Sequence, residues 1–236
     1  MVRNRDSPGA VDKSWLDEFL KGFLAAARES NVALVGGDIS RARHIMISVA
    51  VTGQAASFIP RNGARPGDRI YVSGTLGNAA MGLRLLKRGR RPGQVGAAKG
   101  LINAFLDPVP RLELGSVLGR RCLASAMIDI SDGLAVDLAH ICEESSVGAE
   151  LDLSRIPLSD GLRKLAKAPL GLALGGGEDY ELLFTVRPGN ESRLRRLLHH
   201  FKLTAIGRIT AARKIMAVDP AGNKKPLQIR GYEHFR

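Results

Sequence analysis

The sequence predicts a layered α/β fold of mixed α+β type, with helices covering a mostly antiparallel or mixed sheet. Two observations predict it. Short β-branched apolar runs alternate, from residue 70 to residue 218, with longer segments whose apolar residues recur every three to four positions. A hydrophobic content of 44% and a charged content of 25% over 236 residues belong to a chain that buries a core.

The elements follow in order. Residues 1–10 are polar, carry Pro8-Gly9 and read as a loose lead-in. Ser14-Trp-Leu-Asp17 has the form of a capping box, and Trp15, Leu16, Phe19, Leu20, Phe23 and Leu24 predict an amphipathic helix running to Ser30. Residues 32–35 predict a short apolar strand ending at Gly36-Gly37-Asp38, and residues 45–51 alternate as a second. A Pro/Gly turn at 63–68 leads into a strand at 70–72. Further helices are predicted over 78–87, 94–104, 111–121, 134–145, 160–167 and 191–201. Further strands are predicted over 126–130, 149–153, 181–186, 204–209 and 215–218. The break at residues 53–61 separates an amino-terminal remnant, 1–53, from a main domain, 54–236.

The net charge of +12 raises nucleic acid as a partner. The Lys and Arg are spread along the chain, however, and three Tyr, one Trp and seven Phe do not interleave with them as a stacking surface requires. A solvated basic surface is the first reading, and a nucleic-acid binder a distant one. No apolar run reaches the roughly 20 residues of a membrane-spanning helix, so no membrane partner is expected and the cytoplasm is the default location. Cys122 and Cys142 lack a C-x-x-C or Cys/His partner and are expected as buried free thiols.

Chemistry concentrates where carboxylates meet glycines at strand ends. In Leu34-Val-Gly-Gly-Asp38 two glycines allow close approach of a ligand, and Asp38 offers hard oxygens to Mg²⁺; an ordinary turn capped by Asp38 is the plainer alternative. In Met127-Ile-Asp-Ile-Ser-Asp-Gly-Leu134, Asp129 leaves a strand and Asp132 opens a helix, the edge where open α/β sheets bind phosphates. Asp132 alone reads equally as an N-cap, but a cap does not need Asp129. In Leu174-Gly-Gly-Gly-Glu-Asp-Tyr-Glu-Leu182 an acidic tip in a basic chain suits a cation or a cationic substrate. His44, His140, His199, His200 and His234 have no nucleophile nearby in sequence, and His140 reads as a packing residue. Acids on glycine-rich strand ends, without a Walker A loop or a kinase-type glycine loop, suit metal-assisted phosphoryl transfer.

These motifs, with Arg61-Asn-Gly-Ala-Arg-Pro-Gly-Asp68, Ile70-Tyr-Val-Ser-Gly-Thr-Leu-Gly77 and Gly231-Tyr-Glu-His-Phe235, resemble the thiamine-monophosphate kinase family. That family lies within the ATP-binding superfamily typified by aminoimidazole ribonucleotide synthetase. The resemblance implies a PurM-like two-domain architecture with an incomplete amino-terminal domain and a complete α/β carboxyl-terminal domain. It implies transfer of the ATP γ-phosphoryl group to thiamine monophosphate with Mg²⁺, and a homodimer in the full-length family. It further implies Asp38, Asp129 and Asp132 as Mg²⁺ ligands, Gly37, Asp38, Arg61 and Ser131 as ATP contacts, and Glu178 and Tyr232 beside the thiamine. Family members carry a longer front with a G-D-D-type motif that Asp6 and Asp12 do not reproduce. A truncated kinase, whose activity alone is in question, is therefore expected; a non-catalytic remnant that binds nucleotide or thiamine phosphate is the alternative.

Overall fold

The computed structural model describes residues 12–40, 42, 44–55, 57–91, 93 and 95–229. The chain divides into two units, Met1–Gln54 and Ala55–Arg236.

In the first unit, helix α1 spans Lys13–Glu29. Its N-cap is Asp12, whose side chain accepts from the Ser14 amide at 3.1 Å, so the predicted capping box at Ser14 is displaced by two residues. A carboxylate at the amino end satisfies an orphan amide and meets the positive end of the helix dipole, which gives Asp12 the advantage over Ser14. The aromatic stripe is real: Trp15 stacks on Phe19 at 5.5 Å, and Phe19 meets Phe23 at 6.0 Å. The two strands expected at 32–35 and 45–51 are not formed. A strand exists only as part of a ladder, and the described residues of this unit offer these segments none. Their apolar side chains stand in solvent, with Val35 96% and Met46 87% exposed.

The second unit holds one sheet. Its strands are β1 (Arg69–Ser73), β2 (Ala126–Asp129), β3 (Gly148–Asp152), β4 (Leu182–Val186), β5 (Leu203–Thr210), β6 (Ile215–Val218) and β7 (Lys224–Pro226). They lie in the order β2-β4-β1-β5-β3-β6-β7 and pair antiparallel except for β3 with β6. Alternation along β1 divides the core. Ile70 and Val72 pack with Leu134, Leu138 and Ile141 on one face, while Tyr71 packs with Phe184, Leu114, Leu118 and Leu194 on the other.

Helix α5 (Leu134–Glu144) supplies the first face; α4 (Leu112–Arg120) and α8 (Glu191–Leu197) supply the second. Helices α2 (Asn78–Lys87), α3 (Ala97–Leu106), α6 (Asp160–Leu165) and α7 (Pro169–Gly175) close around Met81, Leu85, Leu101, Ile102, Leu162 and Leu172. Each large apolar side chain so buried contributes about 1.5–3 kcal/mol.

Both cysteines are free, but only Cys142 is buried, and burial pushes its thiol up to about 12. Cys122 is exposed, contrary to expectation, because it sits at φ +49° in the turn that ends α4. No described helix is long and apolar enough to cross a membrane.

Candidate active site

The site grows from one edge strand and the loop that zips onto it. Strand β2 pairs antiparallel with β4, the last partners being Asp129 and Leu182. Backbone bonding then continues beyond the ladder. The Ile130 amide donates to the Glu181 carbonyl at 2.8 Å, the Tyr180 amide to the Ile130 carbonyl at 2.9 Å, and the Glu178 amide to the Ser131 carbonyl at 2.8 Å. Main-chain bonds therefore lay the G-G-E-D-Y-E loop along D-I-S-D. Gly177 makes the approach possible: a Cβ there would lie 2.3 Å from the Ser131 carbonyl oxygen.

The Ser131-Asp132-Gly133 turn is held from below. Asp137, buried in the first turn of α5, accepts from the amides of Asp132 at 3.2 Å and Gly133 at 3.1 Å. Burial raises the Asp137 carboxyl, those two backbone bonds oppose the rise, and the charges of Asp132 and Asp129 add to it. His140, one helical turn further, brings a ring nitrogen within 4.8 Å of Asp132 and Asp137 ligand atoms. It therefore faces acids, and the expected packing role gives way to a place at the site's edge. The i, i+3 spacing of Asp137 and His140 on a helix was the signal for this face.

The loop from 178 to 181 alternates in what it does. Asp179 points back into the fold and accepts from the amides of Gly77 at 2.6 Å and Ala79 at 3.2 Å, at the start of α2. Burial pushes its carboxyl up to about 7 despite those bonds. Glu181 is buried and receives the Arg111 guanidinium as a fork, Nε to Oε2 at 2.7 Å and NH2 to Oε1 at 2.5 Å, with the Ser73 hydroxyl donating as well.

Between these anchors, Glu178 at φ +71° and Tyr180 at φ +48° are turned outward and exposed. The Tyr180 hydroxyl donates to Glu178 Oε2 at 3.3 Å. Burial raises the Tyr180 phenol, followed by the charge and hydrogen bond of Glu178 and the charges of Asp129 and Asp132. Asp129, Asp132, Glu178 and Tyr180 thus feel one another at one edge of the sheet.

The same frame occurs in known proteins. The model described as AIR synthase related protein, C-terminal domain, matches residues 65–219, and the N-terminal domain model of that family matches residues 3–55. The thiamine-monophosphate kinase of Escherichia coli strain K12 is 37% identical over 235 residues, which span 95% of this chain and 70% of that relative. The chain belongs to the thiamine-monophosphate kinase family. The Aquifex aeolicus member is 34% identical over 235 residues, spanning 97% of this chain and 71% of that protein.

Two solved structures of thiamine-monophosphate kinases agree in fold. That of Stenotrophomonas maltophilia K279a has a TM-score of 0.77 at 33% identity over 88% of this chain and 68% of its own. AaThiL, described as complexed with AMPPCP and TMP, has a TM-score of 0.78 at 30% identity over 97% of this chain and 71% of its own. Hydrogenase maturation protein HypE, at 17% identity and a TM-score of 0.67, shares the fold alone.

Of the residues expected from the thiamine-monophosphate kinase pattern, Asp129, Ser131, Asp132 and Glu178 are brought together by the zipped turn and loop. Arg61 is not among them. It lies at the opposite end of α5, its guanidinium 3.8 Å from Glu144 and its carbonyl accepting from the Ser145 hydroxyl at 3.1 Å. A helix rising 1.5 Å per residue separates it from Asp132 by roughly 15 Å. Gly37 and Asp38 are exposed residues of the first unit, and Tyr232 lies outside the described residues. Asp137, Tyr180 and Glu181 were not singled out from sequence, and Asp179 was read with Glu178 as an outward acidic tip, whereas it points into the fold. The alternation of outward and inward residues in E-D-Y-E was the available sign.

Proposed function

We propose that this chain transfers the γ-phosphoryl group of ATP to the phosphate of thiamine monophosphate, giving thiamine diphosphate, with Mg²⁺. The observation that carries the reading is the backbone zipper, which sets Asp129 and Asp132 beside Glu178 in a chain of this family. The donor set fits the metal. Among the described residues no hydrogen-bond donor occupies the side-chain carboxylates of Asp129 and Asp132, and Mg²⁺ prefers carboxylate oxygens at a site open enough to keep water and phosphate ligands. Asp137 accepts both amides at Oδ2 and so holds the turn that carries Asp132, with His140 beside them on α5. Asp38 completes the assigned metal ligands.

Bound Mg²⁺ supplies neutralisation of the charge that gathers on the transferring phosphoryl group. The protein's own part is placement. Asp129 and Asp132 fix the reacting end of the nucleotide, and Ser131 contacts it at the same turn. Glu178 faces the cationic thiazolium, with Tyr232 stacking on a ring of the acceptor. Arg61 is too far from Asp132 to share a phosphate with it, so we assign it to a part of the nucleotide remote from the transferred group, with Gly37 as a further contact. Assembly as a homodimer and residence in the cytoplasm belong to the same reading.

Incubation of the purified chain with ATP, thiamine monophosphate and Mg²⁺, followed by chromatography, is expected to show thiamine diphosphate. Asp132→Ala is expected to lower the rate by two orders of magnitude or more, on the scale of a lost electrostatic contact of about 3 kcal/mol. Binding of both ligands without turnover would instead leave a non-catalytic remnant.

A further inference from the structure

The outward side of the zipped loop carries one group that phosphoryl transfer does not use. Tyr180 is 36% exposed and belongs to none of the core clusters. Its backbone stands at φ +48°, a region that bulky side chains rarely enter. Glu178, two residues before it, stands at φ +71°. Such strain persists only where the surroundings enforce it, and here two anchors do so: Asp179 on the first amides of α2, and Glu181 in the fork of Arg111. A tyrosine needed only for packing would be turned inward.

The outcome of that enforcement is chemical. A phenol ring lies beside the Glu178 carboxylate, held by its own hydroxyl at 3.3 Å, within the field of Asp129 and Asp132. The negative face of an aromatic ring and an adjacent carboxylate together attract a flat cation better than either does alone. A neutral ring gains only stacking on the phenol, and a phosphate is repelled by the carboxylate.

We propose that Tyr180 is a specificity-determining residue for the acceptor, its ring and the Glu178 carboxylate together recognising a cationic heterocycle. The proposal rests on the reading of Glu178 as the acceptor-facing residue. It extends recognition of the thiazolium to a second side chain on the same loop, independent of Tyr232.

The test is calorimetric binding of thiamine monophosphate, and separately of Mg·ATP, to the whole chain and to Tyr180→Phe and Tyr180→Asn. Asparagine tolerates the left-handed region, so Tyr180→Asn removes the ring without adding backbone strain. Tyr180→Asn is expected to weaken thiamine monophosphate binding roughly 3- to 30-fold with Mg·ATP affinity unchanged, and Tyr180→Phe to weaken it less. Undiminished thiamine monophosphate binding by Tyr180→Asn overturns the proposal. So does an equal loss for both ligands, which marks a structural role. If the unaltered chain fails to bind thiamine monophosphate, the reading of the function falls, and this proposal with it. Equal affinity for thiamine monophosphate in the unaltered chain and Tyr180→Asn sinks the proposal alone.

Discussion

Asp179 sits where two demands conflict. Its carboxylate is wanted as an acceptor by the amides of Gly77 and Ala79, yet burial disfavours its charge and pushes the carboxyl up to about 7. The unfolded chain ionises it near its ordinary value of 3.8. Between those two values the folded state binds the proton and the unfolded state does not. Its contribution to stability is therefore present in full below about pH 4 and lost as the pH rises through about 7. Urea denaturation at pH 4.5 and pH 7.5 is expected to show a larger loss of stability over that interval for the natural chain than for Asp179→Asn, which has no proton to lose. Equal slopes for the two proteins would show that Asp179 does not titrate in this range. Asp137 differs in kind. Asp137→Ala leaves the amides of Asp132 and Gly133 without their acceptor, and a cost of about 1–3 kcal/mol in a denaturation curve is expected, with a higher Mg²⁺ concentration needed for half-maximal activity.

At the scale of elements, the Arg111–Glu181 fork ties the start of α4 to the entry of β4. Glu181 is only 5% exposed, so Arg111→Met leaves a carboxylate buried with the Ser73 hydroxyl as its remaining donor. The Arg111 side chain is 34% exposed, so its removal costs less than the about 3–5 kcal/mol of a fully buried pair, a loss that should still appear as an earlier urea midpoint. Helix α2 and strand β6 were legible at both bounds, because their periodicity and turn residues agree. Helix α7 was not read at all: Pro169, Gly171 and Gly175 look like a loop, although Pro at a first helical turn is well placed. Strand β7 escaped because Lys224-Lys225-Pro226 has no apolar alternation; it forms at the sheet's edge, where proline is tolerated. Residues 32–35 and 45–51 show the opposite failure: a strand pattern is written in the sequence, and pairing is not a local property. The D-I-S-D and G-G-E-D-Y-E motifs were legible as acidic glycine turns. Their junction was not, since nothing in either motif names the other.

For the molecule as a whole, the two units carry different burdens. The second contains all seven described strands and every core cluster. A fragment beginning at Ala55 is therefore expected to unfold in a single cooperative step, followed by circular dichroism in urea, and to keep the zipped site. A gradual transition would place part of that core's support in the first unit. The first unit exposes Val35, Ile39, Met46 and Val51, each at 69% or more. Unpaired extended segments of this kind promote association, so the fragment should also scatter less light at high concentration than the intact chain.

The junction between turn and loop is written in peptide groups that every amino acid except proline can supply. Side chains at positions 178 and 180 project from that seam without holding it closed. Mutation can therefore revise which molecule the loop greets while the neighbouring acids keep their spacing, so that descent from a common ancestor need not preserve a common acceptor.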